Sequence, residues 1–327
     1  MNWKKTGQVL ALAICSVIAL GGCSKPTQNA ATPNNTTQQA LAEPIVVQHK
    51  LGTMTLNYRP QRVAVLDMND VDFLDVLNVP IAGMVKDFVP NFLQKYKDNP
   101  DIQDLGAIVQ PNMERIYGLK PDLILMTPNH TNHYQELKEL APTLHFDVDY
   151  ANSHKNHLEA IRQHLLTLGK IFDKEDLAKQ KLAELDAKVA QVHQLTQSRP
   201  EKALIVMHNN GSFSSFGVKS RYGFVFDALG VKPASTVEDS SLHGQPISSE
   251  FIQQANPDIL YVIDRTAVME HRPAIDVKHL DNPLLRQTKA WQTGRVVLVD
   301  ADAWYITAAS PTSIQIVIND VMKGYQP

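Results

Sequence analysis

Cysteine is nearly absent from this sequence: of 327 residues only Cys15 and Cys23 carry a thiol. Cys15 sits inside an N-terminal apolar run, so a chain cut before Cys23 keeps one cysteine. One thiol excludes an internal disulfide, and it excludes zinc or iron–sulfur sites built from several cysteines. Long hydrophobic runs are missing as well. Val9 to Leu20 spans about 12 residues, too short to cross a bilayer comfortably, and no second candidate follows it. Basic blocks are absent too. Lys and Arg number 31 against 34 Asp and Glu, a formal net charge of −3, which leaves nothing for a nucleic acid to grip. Gly-x-Ser-x-Gly, His-Glu-x-x-His, a Gly-rich phosphate loop and a dinucleotide fingerprint are all missing. Hydrolase, metalloprotease and nucleotide chemistry therefore have no recognisable motif. No nucleotide cofactor and no enzymatic activity are expected. A secreted enzyme stays a distant alternative, because paired carboxylates are invisible in sequence.

The N-terminus reads as an export signal. Lys4 and Lys5 precede the apolar run, which closes on small residues at Leu20-Gly21-Gly22-Cys23, giving a secretory signal over 1–22. Leu-Gly-Gly-Cys resembles the bacterial lipobox, which implies cleavage before Cys23 and a lipid on its sulfur. The following stretch to about Ala42 is rich in Asn, Thr, Gln, Ala and Pro, so residues 23–43 read as a flexible polar tether. The expected location is the periplasm or cell surface, anchored to the membrane by lipid. Without Lys4 and Lys5, 29 basic residues face 34 acidic ones, for a net charge of −5. About 280 residues remain, enough for two domains with real cores.

Those residues alternate strand and helix patterns. Val63-Ala64-Val65-Leu66, Ile81 to Val85 and Leu123-Ile124-Leu125-Met126 are short apolar runs suited to strands covered on both faces. Residues 45–58 look like an opening hairpin. One phrase occurs twice: Glu114-x-Ile116 before Pro121-Asp122, and Glu250-x-Ile252 before Pro257-Asp258, with the same step of seven from Glu to Pro. Phe226-Asp227-Ala228-Leu229-Gly230-Val231 likewise echoes Leu74-Asp75-Val76-Leu77-Asn78-Val79. Between the halves, Ala178, Leu182, Leu185, Val189 and Val192 form one apolar stripe at helical spacing. Asp173 reads as the N-cap of that helix and Gly169 as the close of the helix before it. At 1.5 Å per residue, some 22 residues give a strut of roughly 33 Å. The fold class expected is α/β: an N-terminal lobe over 44–172, a single long rigid helix over 173–197, and a similar C-terminal lobe over 198–327.

Two α/β lobes, one linking helix and a lipoprotein start resemble the helical-backbone (class III) substrate-binding proteins of ABC importers. Within them, the chain is most similar to the iron–siderophore receptors of the ferric-catecholate group. Leu168-Gly169-Lys170-Ile171-Phe172, Arg221-Tyr222-Gly223-Phe224, His243-Gly244 and Trp304-Tyr305 carry the likeness, in order. The resemblance runs from about Pro44 to Tyr325. It implies capture of Fe(III) as a tetradentate siderophore complex, with coordination completed by His243 and Tyr305. Iron accepts imidazole, and a cation at the phenol oxygen makes phenolate ligation reasonable at neutral pH. It further implies Arg221 and Arg265 as pocket cations, which suit anionic catecholate oxygens and stack on aromatic rings. Trp304 belongs to the same ligand-binding set.

The N-terminal lobe departs from the group. Where a pocket Arg is expected, the loop reads Pro128-Asn129-His130-Thr131-Asn132-His133. Either the ligand is less negative, or the hydrogen bonding differs, or His130 supplies the cation; Asn129 and His130 are the candidates. Glu114 and Glu250 sit in first turns of helices, where the dipole favours acid. The resemblance makes them partners for arginines of the membrane permease. A monomer is expected. Haem or another metal complex in the same scaffold is the alternative ligand.

Overall fold

The computed structural model of the protein describes residues 39–236 and 241–326. The expected signal 1–22, Cys23 and the tether up to residue 38 lie outside the described residues. Structure begins before the expected tether end at 43. Strand β1 (Ala40–His49) pairs antiparallel with β2 (Gly52–Tyr58), forming the hairpin anticipated at 45–58.

The N-terminal half continues with β3 (Val63–Val65), α1 (Met68–Val76), β4 (Gly83–Met84), β5 (Gln103–Asp104), a small hairpin of β6 (Gly106–Ala107) and β7 (Gln110–Pro111), α2 (Met113–Leu119), β8 (Leu123–Met126), α3 (Tyr134–Leu140) and β9 (Thr143–His145). Its sheet is parallel throughout, in the order β5-β4-β3-β8-β9. Every residue of β3 and β8 is buried, as parallel strands covered on both faces must be. The order reverses between β3 and β8. Loops leaving those two strands therefore flank a crevice, the usual ligand position in open α/β sheets.

After α4 (Ser153–Phe172) and α5 (Glu175–Gln197) come β10 (Lys202–Asn209), β11 (Ser212–Phe216), α6 (Gly223–Asp227), β12 (Lys232–Pro233), β13 (Gln245–Ile247), α7 (Ser249–Ala255), β14 (Ile259–Asp264), α8 (Arg265–Met269), α9 (Lys289–Gln292), β15 (Val296–Leu298) and α10 (Pro311–Lys323). The second sheet runs β13-β11-β10-β14-β15, with β12 alongside β10. Here β11 is antiparallel to both β10 and β13.

The phrase written twice builds the same unit twice. Asn112 caps α2 by accepting from the Arg115 N–H at 3.0 Å, and Ser248 caps α7 through the Phe251 N–H at 3.4 Å. Both helices end on a left-handed residue, Lys120 at φ +51° and Asn256 at φ +41°. Ile116 and Ile252 are fully buried. Asp122 then accepts the N–H groups of Gln61 and Arg62, each at 2.8 Å, and Asp258 accepts that of Lys202 at 2.9 Å. Each Pro-Asp thus fixes where the neighbouring strand, β3 or β10, begins.

The connection between the sheets differs from expectation. Two helices lie in it, and α4 is the one that touches both α1 and α6, while α5 packs against α4 and α10. Gly169 does not end α4. A Cβ there would stand 2.8 Å from the Ala178 side chain, so the glycine lets the two helices cross closely. Asp173, at φ +59°, is the C-cap of α4, not the N-cap of α5. Farther along, Arg162 grips Asp186 through two hydrogen bonds of 2.8 and 2.6 Å, which fits an antiparallel pair. Among the described residues no helix is long and apolar enough to cross a membrane.

One apolar cluster draws residues from both halves, from Ile45 and Phe73 to Tyr222 and Val321. Polar ties cross with it. The Asn69 carboxamide accepts the Ala309 N–H at 3.0 Å, and Asp72 accepts the Thr312 N–H at 2.8 Å. Both side chains are fully buried on α1. Asn69→Ala would strand the Ala309 N–H and remove a donor from Asp67. We expect it to lower the unfolding free energy by about 1–3 kcal/mol. Urea denaturation reads this directly, and a change below about 0.5 kcal/mol would show the tie to be unimportant.

Candidate functional site

A cavity of about 320 Å³ opens where the two halves meet. Asp67 enters it from the end of β3, Asn129 from the turn after β8, and Tyr150 from the turn before α4. Asp87, Phe88, Ile108 and Val109 complete this side. From the other side come Arg221, Leu242, His243, Met269, Tyr305 and Ile306.

His243 arrives there because of the glycine after it. Gly244 has φ +75°, and a Cβ would lie 2.7 Å from the Ser215 carbonyl oxygen. The chain therefore presses onto β11 and turns, leaving the His243 side chain exposed at the cavity. Tyr305 lies on a π-helical turn over Asp302–Thr307. Its neighbour Trp304 is fully buried, with its indole N–H donating to Asp320 at 3.0 Å. Consecutive residues of a helical turn point in different directions, so Trp304 faces the core while Tyr305 reaches the cavity. Trp304 is a core residue, and its expected contact with ligand is not supported.

Arg265 stands one step behind. Its Nε donates to the Tyr305 hydroxyl at 2.8 Å and its Nη1 to the Asn209 side-chain amide oxygen, Oδ1, at 3.2 Å. The guanidinium fixes the Tyr305 ring and does not line the cavity itself. Arg221 does line it. Nη2 donates to the Tyr305 backbone carbonyl at 3.0 Å, and the guanidinium lies within 5.6 Å of the Tyr150, Tyr222 and Tyr305 ring centres. Its Nε–H is buried with no acceptor among the described residues.

His130 does not supply a cation. It is fully buried, its Nε2–H donates to the Ile108 carbonyl at 2.7 Å, and its Nδ1 accepts the Thr127 N–H at 3.3 Å. An Nδ1 that accepts an N–H carries no proton, so the ring is neutral and shapes the loop, and burial lowers its pKa from the ordinary value. Other histidines are likewise structural. His164 donates to Asp70 at 2.6 Å, and His157, stacked on Phe224, donates to the Ala308 carbonyl at 2.6 Å. Burial pushes the His157 pKa down to about 4. Glu114 and Glu250 are both exposed, far from any core role.

Sequence reasoning missed the acids. Asp67 caps α1, accepting the Asn69 N–H at 2.8 Å and the Asn69 amide at 2.7 Å, and Thr127 donates to it at 3.2 Å. Burial, with Asp70 nearby, raises its pKa to about 6. Asp87 accepts the Ile108 N–H at 3.1 and 3.2 Å, and burial raises its pKa. Its position before Phe88-Val89-Pro90 carries no motif, so spacing alone could not have found it. Three of the exposed large apolar side chains, Val109, Leu242 and Met269, also line this cavity. Phe88 and His271 stack across its edge at 5.2 Å.

Comparison with known proteins decides the family. A profile described as "Periplasmic binding protein" matches residues 63–303. The chain belongs to that family. It is 65% identical over 325 residues to the ferric-anguibactin-binding protein FatB of Vibrio anguillarum, covering 99% of each chain. It is 33% identical over 324 residues to the petrobactin-binding protein YclQ of Bacillus subtilis, covering 97% of this chain and 98% of that one. Among solved structures, the siderophore-binding protein BauB, bound to two molecules of acinetobactin and ferric iron, matches with a TM-score of 0.84 and 67% identity. That match covers 87% of this chain and 99% of BauB. The family likeness drawn from sequence motifs is borne out.

The Asp67 environment has a measurable consequence. A carboxyl whose folded pKa of about 6 exceeds its unfolded value near 3.8 binds protons more tightly in the native state. Its contribution is favourable at low pH and is lost as pH rises through about 6. Relative to Asp67→Asn, the parent should gain about 2 kcal/mol of unfolding free energy between pH 7.5 and 4.5. Paired urea titrations across that range check it; parallel profiles would refute the shift.

Proposed function

We propose that this protein is the substrate-binding component of an ABC importer, that it captures a ferric siderophore complex of catecholate type, and that it delivers the complex to an inner-membrane permease. One observation carries the reading: His243 and Tyr305, expected from sequence to be iron ligands, face one cavity with Arg221. FatB, YclQ and BauB are named for siderophores, and the first two match nearly the whole chain. That supports the same role here. Imidazole and phenolate oxygen both suit iron, and four catecholate oxygens would leave two positions for them. The phenol oxygen of Tyr305 already accepts from Arg265 and keeps a second lone pair for the metal. The apolar lip of Val109, Leu242 and Met269 fits the faces of aromatic chelating groups.

In this reading the N- and C-terminal halves act as two lobes that move little. The helix pair α4–α5 and the shared core support a largely preformed cleft. Cys23 would carry the lipid anchor, and the protein would act as a monomer.

Titration with a ferric bis-catecholate, followed by absorbance, tests the ligation. His243→Ala and Tyr305→Phe are each expected to weaken binding by about tenfold or more, the loss of one charge-assisted or metal contact. Both should shift the catecholate-to-iron charge-transfer band. Unchanged affinity and spectrum in both variants would remove the ligation, and a Soret band with haem in place of that response would favour the haem alternative.

Glu114 and Glu250 occupy equivalent first turns, α2 and α7, on exposed surface. They would dock on basic side chains of the permease. Glu114→Lys or Glu250→Lys should abolish uptake in cells while leaving siderophore affinity in solution unchanged. A loss of affinity instead would count against docking.

A further inference from the structure

The cavity separates its charges. Arg221 and His243 come from the C-terminal half, and Asp67 and Asp87 from the N-terminal half. Among the described residues neither carboxylate has a basic side chain within ion-pair distance, and His130 beside them is a neutral core ring. Asp67 already takes three donors. Asp87 is different: backbone N–H groups serve it, chiefly that of Ile108 shared between its two oxygens, and no side chain among the described residues donates to it, although a carboxylate offers about four acceptor sites. It is half-buried and desolvated, so an unmatched charge there is costly. A fully anionic ferric catecholate would meet repulsion on this wall. Its negative oxygens would find cations only on the opposite one.

We infer that Asp87 is a specificity-determining residue and that the ligand is a ferric complex carrying a protonated or N–H-donating nitrogen, which Asp87 receives while the iron–oxygen end faces Arg221, His243 and Tyr305. This rests on the proposed siderophore function and narrows its substrate class. It also resolves the missing arginine of the 128–133 loop. With Asn129 there and acids beside it, the wall is built for a less negative, donor-bearing ligand. A wrong ligand would be rejected by like charge, which discriminates more sharply than lost contact alone.

Two synthetic bis(2,3-dihydroxybenzamide) chelators separate the possibilities. One has a pentane-1,5-diyl linker, the other its 3-azapentane counterpart, whose central amine is protonated at neutral pH. Their ferric complexes differ by one N–H-bearing positive charge and little in size. The parent protein should bind the aza complex about tenfold or more tightly than the all-carbon one, as a charge-assisted hydrogen bond implies. Asp87→Asn should erase that preference, and Asp87→Glu should keep it. The parent's own preference needs no variant to fold. Equal affinity of the parent for both complexes, or a preference that survives in Asp87→Asn, overturns the inference and leaves the siderophore reading standing. Failure of the parent to bind either complex overturns both.

Discussion

Much of this structure hangs on one carboxamide. Asn69 is fully buried in the first turns of α1. Its NH2 donates to Asp67 at 2.7 Å and to the Tyr150 hydroxyl at 3.1 Å, and its oxygen accepts the Ala309 N–H at 3.0 Å. Two of those partners line the cavity from the N-terminal half, and the third follows the π-helical turn that carries Tyr305. Every polar atom of the amide is used, so the group tolerates one arrangement of its surroundings. His157 holds the same turn from the other side through the Ala308 carbonyl. Ala308 itself sits at φ +55°. A non-glycine residue in that region persists only where neighbours over-determine it, and here both flanking peptide groups are tied.

This clamp explains why α4 and not α5 is the informative helix. α4 brings His157 to Ala308 and Ser153 to the Ser220 carbonyl at 2.7 Å, so it fastens both the Tyr305 turn and the loop of Arg221. α5 reads in sequence as one long stripe without Gly or Pro, with one buried face and one wet face. α4 is studded with His and has a non-helical residue at Asn156. Its apolar stripe, Ile161, Leu165, Leu168 and Phe172, marks it as a helix, but the polar ties on which its role rests act at long range and leave no pattern in the sequence. Gly169 misled for a related reason. A glycine in a helix pattern reads as a stop, but close approach of another helix needs it equally, and only the partner, Ala178, distinguishes the two.

The parts legible in sequence were those with local causes. The duplicated Glu-x-Ile and Pro-Asp phrases dictate a cap, a buried isoleucine, a left-handed stop and a carboxylate that receives the neighbouring strand, all within eleven residues. His243 came from family likeness, and the positive φ of Gly244 that turns it to the cavity appears only in the structure. Arg221 and Tyr305 came from family likeness, and both reach the cavity. Trp304 came with them, and His130 from the departure at 128–133; neither lines the cavity. Each is adjacent to a cavity residue, and adjacency on a helical turn means pointing elsewhere. Asp67 and Asp87 were not legible at all, since an acid after a buried strand is ordinary until its surroundings are known.

What those acids change is the meaning of the asymmetry between the halves. The repeated elements make scaffolding, and the cavity is lined by what the halves do not share. One wall offers a guanidinium, an imidazole and a phenol; the other offers two carboxylates and an amide. Desolvation raises the proton affinity of both acids, so each would be better satisfied by a donor than by water excluded from a filled cleft. A scaffold duplicated in this way can alter its ligand by changing one wall while the fold, the caps and the exposed glutamates stay fixed. The carboxylate wall is where such a change has the least structural cost at Asp87, held by backbone N–H groups of its own and a neighbouring loop, and the greatest at Asp67, which Asn69 ties to the core.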